Sequence, residues 1–393
     1  MKCYDTDIAI FQVTMTHYRV PIFGHLASEL PYNIDVIYGR PPDEQHLHIP
    51  PKPWPFRGYF YRMWKLQLGR ASPLYFQWRE IWAAFGSRYQ VLVLTADFHI
   101  LSYPLASLIA ILRGKAVVHW THGTSLGGPK SKVKEWVRRW LHRRLCHALL
   151  LYGERERRFY YETGFDSAKM FVTNNSLDTS ESTRLRGQLS QSQLDATRQA
   201  LGGDVRRMVY AGRLIESKRV DLLIECLPLV HRKFPGAVAV IVGDGPQRAK
   251  LEQLAKRLGV QAHVYFLGAI YDEEVLCPIL SACDVCVCPG SVGLIVNQAF
   301  VYGLPIITSD DHWVHSPEIS MVETGVNGLR FRDGDVEALS SAVTSLFAEP
   351  DLLLKMKSNA LVTISEKFNE RAVVAGFHAA ISHAMEATRR RRK

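Results

Sequence analysis

The chain has 393 residues, a length typical of two domains and at most three. Hydrophobic residues make up 47% and charged residues 22%, with 27 Gly and 19 Pro, which excludes collagen-like, low-complexity and disordered proteins. No apolar run reaches the roughly 17–25 residues of a membrane-spanning helix. Asp5 and Asp7 flank the start of the first apolar run, so we expect no signal peptide. Seven cysteines, an odd number, argue against a disulfide scaffold and favour a reducing compartment.

The positive charge is concentrated in three segments. The formal net charge is +10, while residues 52–70, 130–158 and 389–393 carry +5, +7 and +5. A basic surface of this kind predicts one anionic partner, if the fold brings the three segments together. Nucleic acid and a phospholipid surface both meet this requirement. The alternative is three solvated faces without a common role.

Apolar runs alternate with helical patterns along the chain. Helix periodicity is clear at Val220–Val230 and at Leu251–Leu258. The predicted strands are Ile8–Val13, Ile34–Tyr38, Val91–Leu94, Ala116–Trp120, Leu149–Tyr152, Met170–Val172, Met208–Ala211, Val238–Val242, Val264–Leu267, Val285–Cys288 and Pro305–Thr308. Alternating strands and helices predict parallel sheets covered by helices, the α/β class.

The strand–helix series is interrupted once. A polar stretch from Asp178 to Asp204 is rich in Ser, Gln and Arg and poor in large apolar residues. We therefore expect a first domain over residues 1–180, a linker over 181–205, a second domain over 206–367 and a closing helix with a basic tail over 368–393. The prediction is two Rossmann-like, doubly wound domains facing a cleft, which is a common place for a binding site.

Glycine-rich turns follow several strands of the second domain. Gly212 and Arg213 end one strand, and Lys218 follows at the start of a helix. Two cations beside a helix N-terminus can neutralise a diphosphate, although an exposed Arg and Lys around an ordinary loop would look the same. Similar turns follow at Gly243-Asp-Gly-Pro246, Phe266-Leu-Gly268 and Pro289-Gly-Ser-Val-Gly-Leu294. Their repetition at successive strand ends favours phosphate binding by backbone amides.

Nearly the whole chain resembles the retaining glycosyltransferases of family 4, which have the GT-B fold and use nucleotide sugars. The resemblance rests on these turns and on Gly303-Leu-Pro305, Gly325-Val-Asn-Gly-Leu329, His119-Trp-Thr-His-Gly123, Asn174-Asn-Ser-Leu-Asp178 and Thr16-His-Tyr-Arg-Val-Pro21. It implies that catalysis involves Arg213, Lys218 and His122. It also implies donor binding at Gly212, Gly243, Gly290, Gly293, Leu294 and Gln298, and an acceptor side at His17, Tyr18 and Arg19.

One departure concerns two acidic positions of that family. Its two glutamates, eight residues apart, align with Gly290 and Gln298. Gln298 can still hydrogen-bond a ribose hydroxyl, whereas Gly290 has no side chain to contact the sugar. Glu318 is our candidate catalytic substitute for the missing glutamate. The alternative is a surface glutamate at a helix start.

Metal sites are not expected. Cys283, Cys286 and Cys288 resemble a metal cluster, but their spacing on a strand points the thiols to different faces, which favours a buried core. Asp310 and Asp311 could mimic a metal site. The family resemblance implies that Arg and Lys take the phosphate charge, so we expect no cofactor and no essential metal, only a nucleotide-sugar co-substrate.

Aromatic residues interleave with two of the basic segments. Val133, Trp136, Val137, Trp140 and Leu141 fall on one face of a predicted helix, and six aromatic residues stand within 54–64. Basic, Trp-rich amphipathic segments suit an anionic membrane surface. The alternative for the helix is a core element whose apolar face packs inward and whose back is solvated.

The function expected from these features is transfer of a sugar from a nucleotide-diphosphate donor to a growing, lipid-linked glycan such as a bacterial surface polysaccharide. The expected location is the cytoplasm, at the inner face of the membrane. A sugar-nucleotide epimerase with the same fold is one alternative. A nicotinamide oxidoreductase is disfavoured because no Gly-x-Gly-x-x-Gly follows the first strand. A nucleic-acid-binding or other non-catalytic binding protein has only the charge in its favour, so we expect no nucleic-acid partner.

Overall fold

The structure, a computed structural model, describes residues 4–39, 53–67, 73–123, 131–311 and 313–392. The chain divides into two compact units, one formed by residues 1–178 with 370–393 and the other by residues 179–369. Parts of the basic segments, among them Lys52, Arg70, Lys130 and Lys393, lie outside the described residues. Within the described ranges, no helix combines the length and the apolar character needed to cross a bilayer.

The first unit is a parallel sheet with helices on both faces. Its elements are β1 (Asp7–Gln12), α1 (Arg19–Glu29), β2 (Asn33–Tyr38), β3 (Arg57–Phe60), β4 (Trp64–Leu66), β5 (Leu74–Phe76), α2 (Trp78–Phe85), β6 (Val91–Thr95), α3 (Ser102–Leu112), β7 (Ala116–Thr121), α4 (Lys132–Leu145), β8 (Ala148–Leu151), α5 (Glu154–Glu162) and β9 (Met170–Val172). Seven strands run in the order β3-β2-β1-β6-β7-β8-β9, and β4 pairs with β5 in a separate antiparallel ribbon.

The second unit has the same architecture. Its elements are α6 (Ser180–Gln188), α7 (Gln191–Ala200), β10 (Arg207–Ala211), α8 (Val220–Val230), β11 (Val238–Val242), α9 (Arg248–Arg257), β12 (Val264–Gly268), α10 (Glu273–Ser281), β13 (Val285–Cys288), α11 (Ile295–Val301), β14 (Ile306–Ser309), β15 (Gly328–Phe331), α12 (Val336–Ala348) and α13 (Pro350–Lys367). The parallel strand order is β12-β11-β10-β13-β14-β15. The final helix, α14 (Glu370–Arg392), belongs to the first unit.

The central strands of both sheets bury both of their faces, which is why their sequences are nearly continuous apolar runs. In the first unit, alternate residues of β1 separate the two layers. Ile8 and Ile10 join the core that includes α1 and α14, and Ala9 and Phe11 join the core that includes α2 and α3. The helix that carries the basic tail therefore covers the sheet face opposite α2 and α3.

The expected linker over 181–205 is replaced by ordered helices. Residues 180–188 and 191–200 form α6 and α7, which contact α10 within the second unit. Ser190 and Gln193 form a capping box at the start of α7. These helices bury almost no side chains, which explains why their composition resembled a linker.

The eleven predicted strands coincide with β1, β2, β6–β14 to within one or two residues at each end. β3, β4, β5 and β15 have no counterpart among the predicted strands. All four strands are short. β3, β4 and β5 have no buried residue, and the two middle residues of β15 are half-buried. They therefore lack the apolar run that marks a central strand. The α/β class with two parallel-sheet domains is confirmed.

Candidate functional site

The polar and glycine-rich turns of the second unit meet at one point of its sheet. The chain leaves β10 toward β11 and β12, then returns to place β13 on the other side of β10. This reversal is a topological switch point, where ligands of doubly wound sheets bind at the carboxyl ends of the strands. Gly212 and Arg213 follow β10, Gly243 follows β11, and Gly290 follows β13.

The turns after β10 and β11 are bonded directly to each other. The Gly212 amide donates to the Val242 carbonyl at 2.8 Å, and the Leu214 amide donates to the Asp244 carbonyl at 2.9 Å. Gly243 has a φ of +148°, and a Cβ there would overlap the Gly212 carbonyl, lying 2.9 Å from its carbon. Only glycine permits both this backbone conformation and this approach.

Lys218 joins the turn after β10 to the turn after β13. The Lys218 Nζ donates to the Ser291 carbonyl at 2.6 Å and contacts the Ser291 hydroxyl at 3.2 Å. The backbones are also paired, because the Gly290 amide donates to the Lys218 carbonyl at 3.1 Å and the Ser291 amide donates to the Ser217 carbonyl at 2.9 Å. The half-buried lysine is therefore held in place by the loop on the other side of the switch point.

The same pairing explains the glycine at position 290. A Cβ on Gly290 would lie 2.7 Å from the Lys218 carbonyl carbon and closer still to the Ser217 carbonyl oxygen. Both of these are backbone atoms, so they cannot rotate away as a side chain could. In this chain the close packing of the backbone therefore leaves no room for a side chain at the position that aligns with the first glutamate of the family.

The other predicted donor-site residues surround this loop. Arg213 is exposed at the end of β10, and Gly293 and Leu294 lie half-buried immediately before α11. Gln298 is half-buried on α11, where its backbone N–H donates to the Leu294 carbonyl at 3.2 Å. The structure thus brings Arg213, Lys218 and the Gly290–Leu294 loop to neighbouring strand ends.

Glu318 lies in a 3-10 turn, Pro317–Met321, that contacts α11. The Ser316 amide donates to the Val292 carbonyl at 3.2 Å, so this turn adjoins the Gly290–Leu294 loop. Glu318 is buried, with 4% of its surface exposed. It is therefore not a surface glutamate at a helix start, and its place beside the loop keeps it a candidate for the sugar-contacting role.

His315 also holds this loop in place, although it was not among the residues predicted from the sequence. Its Nδ1 accepts from the Val292 amide at 3.2 Å, while its Nε2 donates to the Ser309 carbonyl at 2.9 Å. The imidazole is fully buried and links β14 to the loop after β13. The only signal for His315 in the sequence is its position shortly after an apolar strand. Many histidines with a purely structural role have such a position, so this signal does not identify a functional residue.

The side chains considered as metal ligands stabilise turns or lie buried in the core. Asp310 accepts from the Asp333 amide and Asp311 accepts from the Trp313 amide, so both carboxylates stabilise turns. Cys283, Cys286 and Cys288 are buried in or beside β13, and burial raises the pKa of the Cys283 thiol to about 12. Among the described residues, no group of three or more His, Cys, Asp and Glu side chains is arranged to hold a metal ion.

The first unit has a cavity of about 240 Å³ at its own switch point, between β1 and β6. Its lining comes from the last residues of β1, β6 and β7 and from the segments that follow β1, β6, β7 and β8, namely Gln12, Val13, Thr14, Thr16, Tyr18, Arg19, Thr95, Ala96, Asp97, Trp120, Thr121, His122 and Tyr152. Three predicted residues, Tyr18, Arg19 and His122, therefore share one cavity. His17, which stacks edge-on against Tyr18 at 5.4 Å, is not among the lining residues.

His122 and Arg19 share an aromatic support in this cavity. The His122 ring stacks flat on Tyr152, with centroids 3.9 Å apart, and the Arg19 guanidinium lies 4.9 Å from the centre of Trp120 and 5.5 Å from that of Tyr152. Loss of hydration around the ring and then the Arg19 charge lower the pKa of His122, although part of the residue is exposed to solvent. The imidazole is therefore neutral at physiological pH and can donate or accept a hydrogen bond.

Residues 193–362 match the family described as "Glycosyl transferases group 1". The lipopolysaccharide core biosynthesis glycosyltransferase LpsE of Rhizobium meliloti is 28% identical over 177 residues, which are 44% of this chain and 49% of LpsE. A GDP-mannose-dependent alpha-(1-6)-phosphatidylinositol monomannoside mannosyltransferase of Mycolicibacterium smegmatis is 32% identical over 38% of this chain and 40% of its own length. The chain thus covers less than half the length of these curated relatives.

Solved structures share the fold along nearly the whole length of this chain. Anabaena Alr3699/HepE in complex with UDP superposes with a TM-score of 0.71 at 17% identity, covering 96% of this chain and 99% of that one. Sucrose-phosphate synthase from Thermosynechococcus elongatus superposes with a TM-score of 0.67 at 18% identity, covering 97% and 100%. At such identities the likeness establishes the fold, which is that of the GT-B glycosyltransferases. Residues 193–362 match the glycosyl transferases group 1, so the predicted resemblance to glycosyltransferases is confirmed.

Proposed function

We propose that this protein is a retaining glycosyltransferase that moves a sugar, of the hexose type, from a nucleotide-diphosphate donor to a growing, lipid-linked glycan. One observation carries the proposal. The matched segment 193–362 places Arg213, Lys218 and three closely packed glycine turns at the switch point of a doubly wound sheet. That is the position where such a sheet binds a phosphate-bearing ligand.

The two cations would act on the leaving diphosphate. As the bond between the sugar and the diphosphate breaks, negative charge grows on the phosphate oxygens, and a preorganised Arg and Lys stabilise that charge. Lys218 is already fixed by Ser291, and Arg213 is exposed and available to a ligand. In this proposal no bound metal is needed, because the side chains supply the positive charge.

The sugar would be held by the loop after β13 and by its neighbours. Gln298 would contact the donor ribose, while Gly290, Gly293 and Leu294 would offer backbone rather than side-chain contacts. Glu318 would supply the carboxylate that the aligned Gly290 lacks. Its burial beside the Ser316–Val292 hydrogen bond supports this role.

The cavity of the first unit would bind a sugar group of a substrate. His122 is neutral and fixed on Tyr152, which suits a hydrogen bond to a sugar hydroxyl rather than to a phosphate. Arg19, with Tyr18 and His17 on the loop after β1, would contact the acceptor. The two curated relatives described above act, by name, in lipopolysaccharide core biosynthesis and on a phosphatidylinositol mannoside, which supports a lipid-linked acceptor. The transfer would then take place at the inner face of the membrane.

The test is a transfer assay with a panel of nucleotide-diphosphate sugars and lipid extracts that contain acceptors. The proposal predicts release of the nucleoside diphosphate that depends on the acceptor, with the anomeric configuration of the donor retained in the product by NMR. Arg213→Ala should lower the turnover about 100-fold without lowering the melting temperature. Turnover of a donor without any acceptor, or an inverted product, would contradict the proposal.

A further inference from the structure

The helix α4 buries its polar face and exposes its apolar face, which is the reverse of the usual arrangement in a soluble protein. A surface helix normally buries its apolar stripe and exposes its polar face. In α4 the buried residues are Glu135, Arg138 and His142. The large apolar side chains on its other side, Val133, Trp136 and Trp140, are exposed by 70%, 61% and 48%.

Specific contacts fix this orientation. The His142 Nδ1 lies 2.9 Å from the Nδ1 of His119 in β7, whose Nε2 contacts the Ser107 hydroxyl of α3 at 2.9 Å. Arg138 donates to the Gly123 carbonyl at 3.2 Å and pairs with Glu135. Turning the tryptophans inward would break this buried network, so their exposure is a property of the fold.

The neighbouring helices expose apolar stripes of the same kind. On α2, Trp78, Trp82 and Phe85 follow helical spacing and are all exposed. On α3, the exposed stripe consists of Leu105, Leu108 and Leu112, and Leu101 precedes it. Nine of the large exposed apolar side chains found among the described residues lie on α2, α3 and α4.

The three stripes belong to one surface. α2 contacts α3, and α3 contacts α4. All three pack on the sheet face that includes Ala9, Phe11 and Val117. Beside α2, the ribbon of β4 and β5 continues the surface, because the exposed Trp64 lies 5.8 Å from Trp78 between ring centres. We call the outer side of α2, α3 and α4 the helical face.

The charges on the helical face have one sign. Across the three helices the only acidic residues are Glu80 and Glu135, and both are buried. Burial raises the pKa of Glu80 to about 8, so it is neutral at physiological pH, and Glu135 is paired with Arg138. The exposed charged side chains are cations, namely Arg79, Lys132, Lys134, Arg143 and Arg144.

We infer that the helical face is a docking surface that lies in the interface of an anionic lipid bilayer. A contiguous exposed apolar surface of this kind marks an interaction site. Tryptophans rimmed by Lys and Arg suit the boundary between headgroups and acyl chains, where the rings enter the leaflet and the cations meet anionic headgroups. A second copy of the chain fits less well, because two such faces would oppose cation to cation.

This surface goes beyond the proposed transfer reaction. Membrane binding is assigned to α2, α3 and α4, whereas the basic residues from Arg389 onward lie at the end of α14, which packs on the opposite sheet face. The helical face includes none of the residues placed in the donor site or in the cavity of the first unit. Membrane binding can therefore be measured without donor, acceptor or turnover, and it stands or fails separately from the proposed function.

The experiment is co-sedimentation of the full chain with vesicles of phosphatidylcholine alone or mixed with phosphatidylglycerol. The inference predicts binding to the anionic vesicles that weakens as salt rises. It also predicts that phospholipids brominated on the acyl chains quench the tryptophan fluorescence. Equal binding to both kinds of vesicle, or binding without quenching, would overturn it.

The variants separate this face from other exposed apolar residues. Trp82→Ser, Leu108→Ser and Trp136→Ser should each weaken binding about tenfold, since each removes an apolar side chain that the leaflet would bury. Leu354→Ser is the matched control, because Leu354 is 69% exposed but lies on α13 of the second unit. Equal loss in the control, or a chain that dimerises through Trp136 and ignores vesicles, would refute the inference.

Discussion

Gly290→Ala tests whether the switch point of the second unit is held together by backbone packing. The added Cβ would lie 2.7 Å from the Lys218 carbonyl carbon, well inside an ordinary contact distance. The loop after β13 must then move away from Ser217 and Lys218. That shift weakens two backbone hydrogen bonds, Gly290 to Lys218 at 3.1 Å and Ser291 to Ser217 at 2.9 Å.

The expected loss of stability follows from these contacts. Two hydrogen bonds contribute about 1 kcal/mol each, and overpacking a close contact costs about 1–3 kcal/mol, with partial relaxation reducing the sum to roughly 2–4 kcal/mol. For a unit of this size, that corresponds to a fall in melting temperature of roughly 5–15 °C. Lys218 also loses its fixed position, so binding of a nucleoside diphosphate should weaken.

The assay is thermal unfolding followed by circular dichroism, with titration calorimetry of UDP and GDP on the same samples. Gly293→Ala is the matched control in the same loop, because a Cβ there would meet only the Ser316 hydroxyl oxygen at 4.0 Å. Its melting temperature should stay at the wild-type value. A Gly290→Ala protein that melts with wild type and binds nucleotide equally well would refute the packing argument.

Three further predictions concern other buried or exposed groups. His315→Ala should lower the melting temperature and weaken donor binding, because the loop after β13 loses its link to Ser309; wild-type values for both would contradict this. Burial lowers the pKa of His119 to about 3 and that of His142 below its usual value, so the folded unit binds fewer protons than the unfolded chain below about pH 6.5. The free energy of unfolding, measured with urea, should therefore fall from pH 7 to pH 5, by up to ~1.4 kcal/mol per pH unit for each of the two histidines. The fall should be less steep in His142→Gln. The same slope in His142→Gln and wild type would show that His142 does not contribute to this pH dependence. A strong chelator should leave the transfer activity intact, and a loss restored by a divalent cation would refute charge neutralisation by Arg213.

The central strands could be predicted because burial on both faces requires a continuous run of apolar residues. That run is present whichever strands lie next to it. β3 and β15 lie at sheet edges, where half-exposed residues such as Arg57 and Arg330 break that run. The helices α6 and α7 were predicted as a linker because they bury almost nothing. The Ser190–Gln193 capping box was the one local signal that could have revealed α7.

The site was predictable only in part. Gly243 and Lys218 lie in turns whose glycine and basic residues already indicate phosphate binding. The reason for Gly290 was not accessible, because it depends on the Ser217–Lys218 backbone, which is more than seventy residues away in the chain. The orientation of α4 was equally hidden, since its pattern defines two faces and only the buried pairing of His142 with His119 shows which one points inward.

The most direct test of the central claim, that the switch point of the second unit binds a nucleoside diphosphate, is titration calorimetry of the full chain. UDP and GDP would be titrated into wild type, Arg213→Ala and Lys218→Ala, with the monophosphates UMP and GMP as controls. The account predicts that at least one diphosphate binds the wild type more tightly than its monophosphate, and that both variants lose this difference. Failure of both diphosphates to bind, or equal binding in all three proteins, would contradict it.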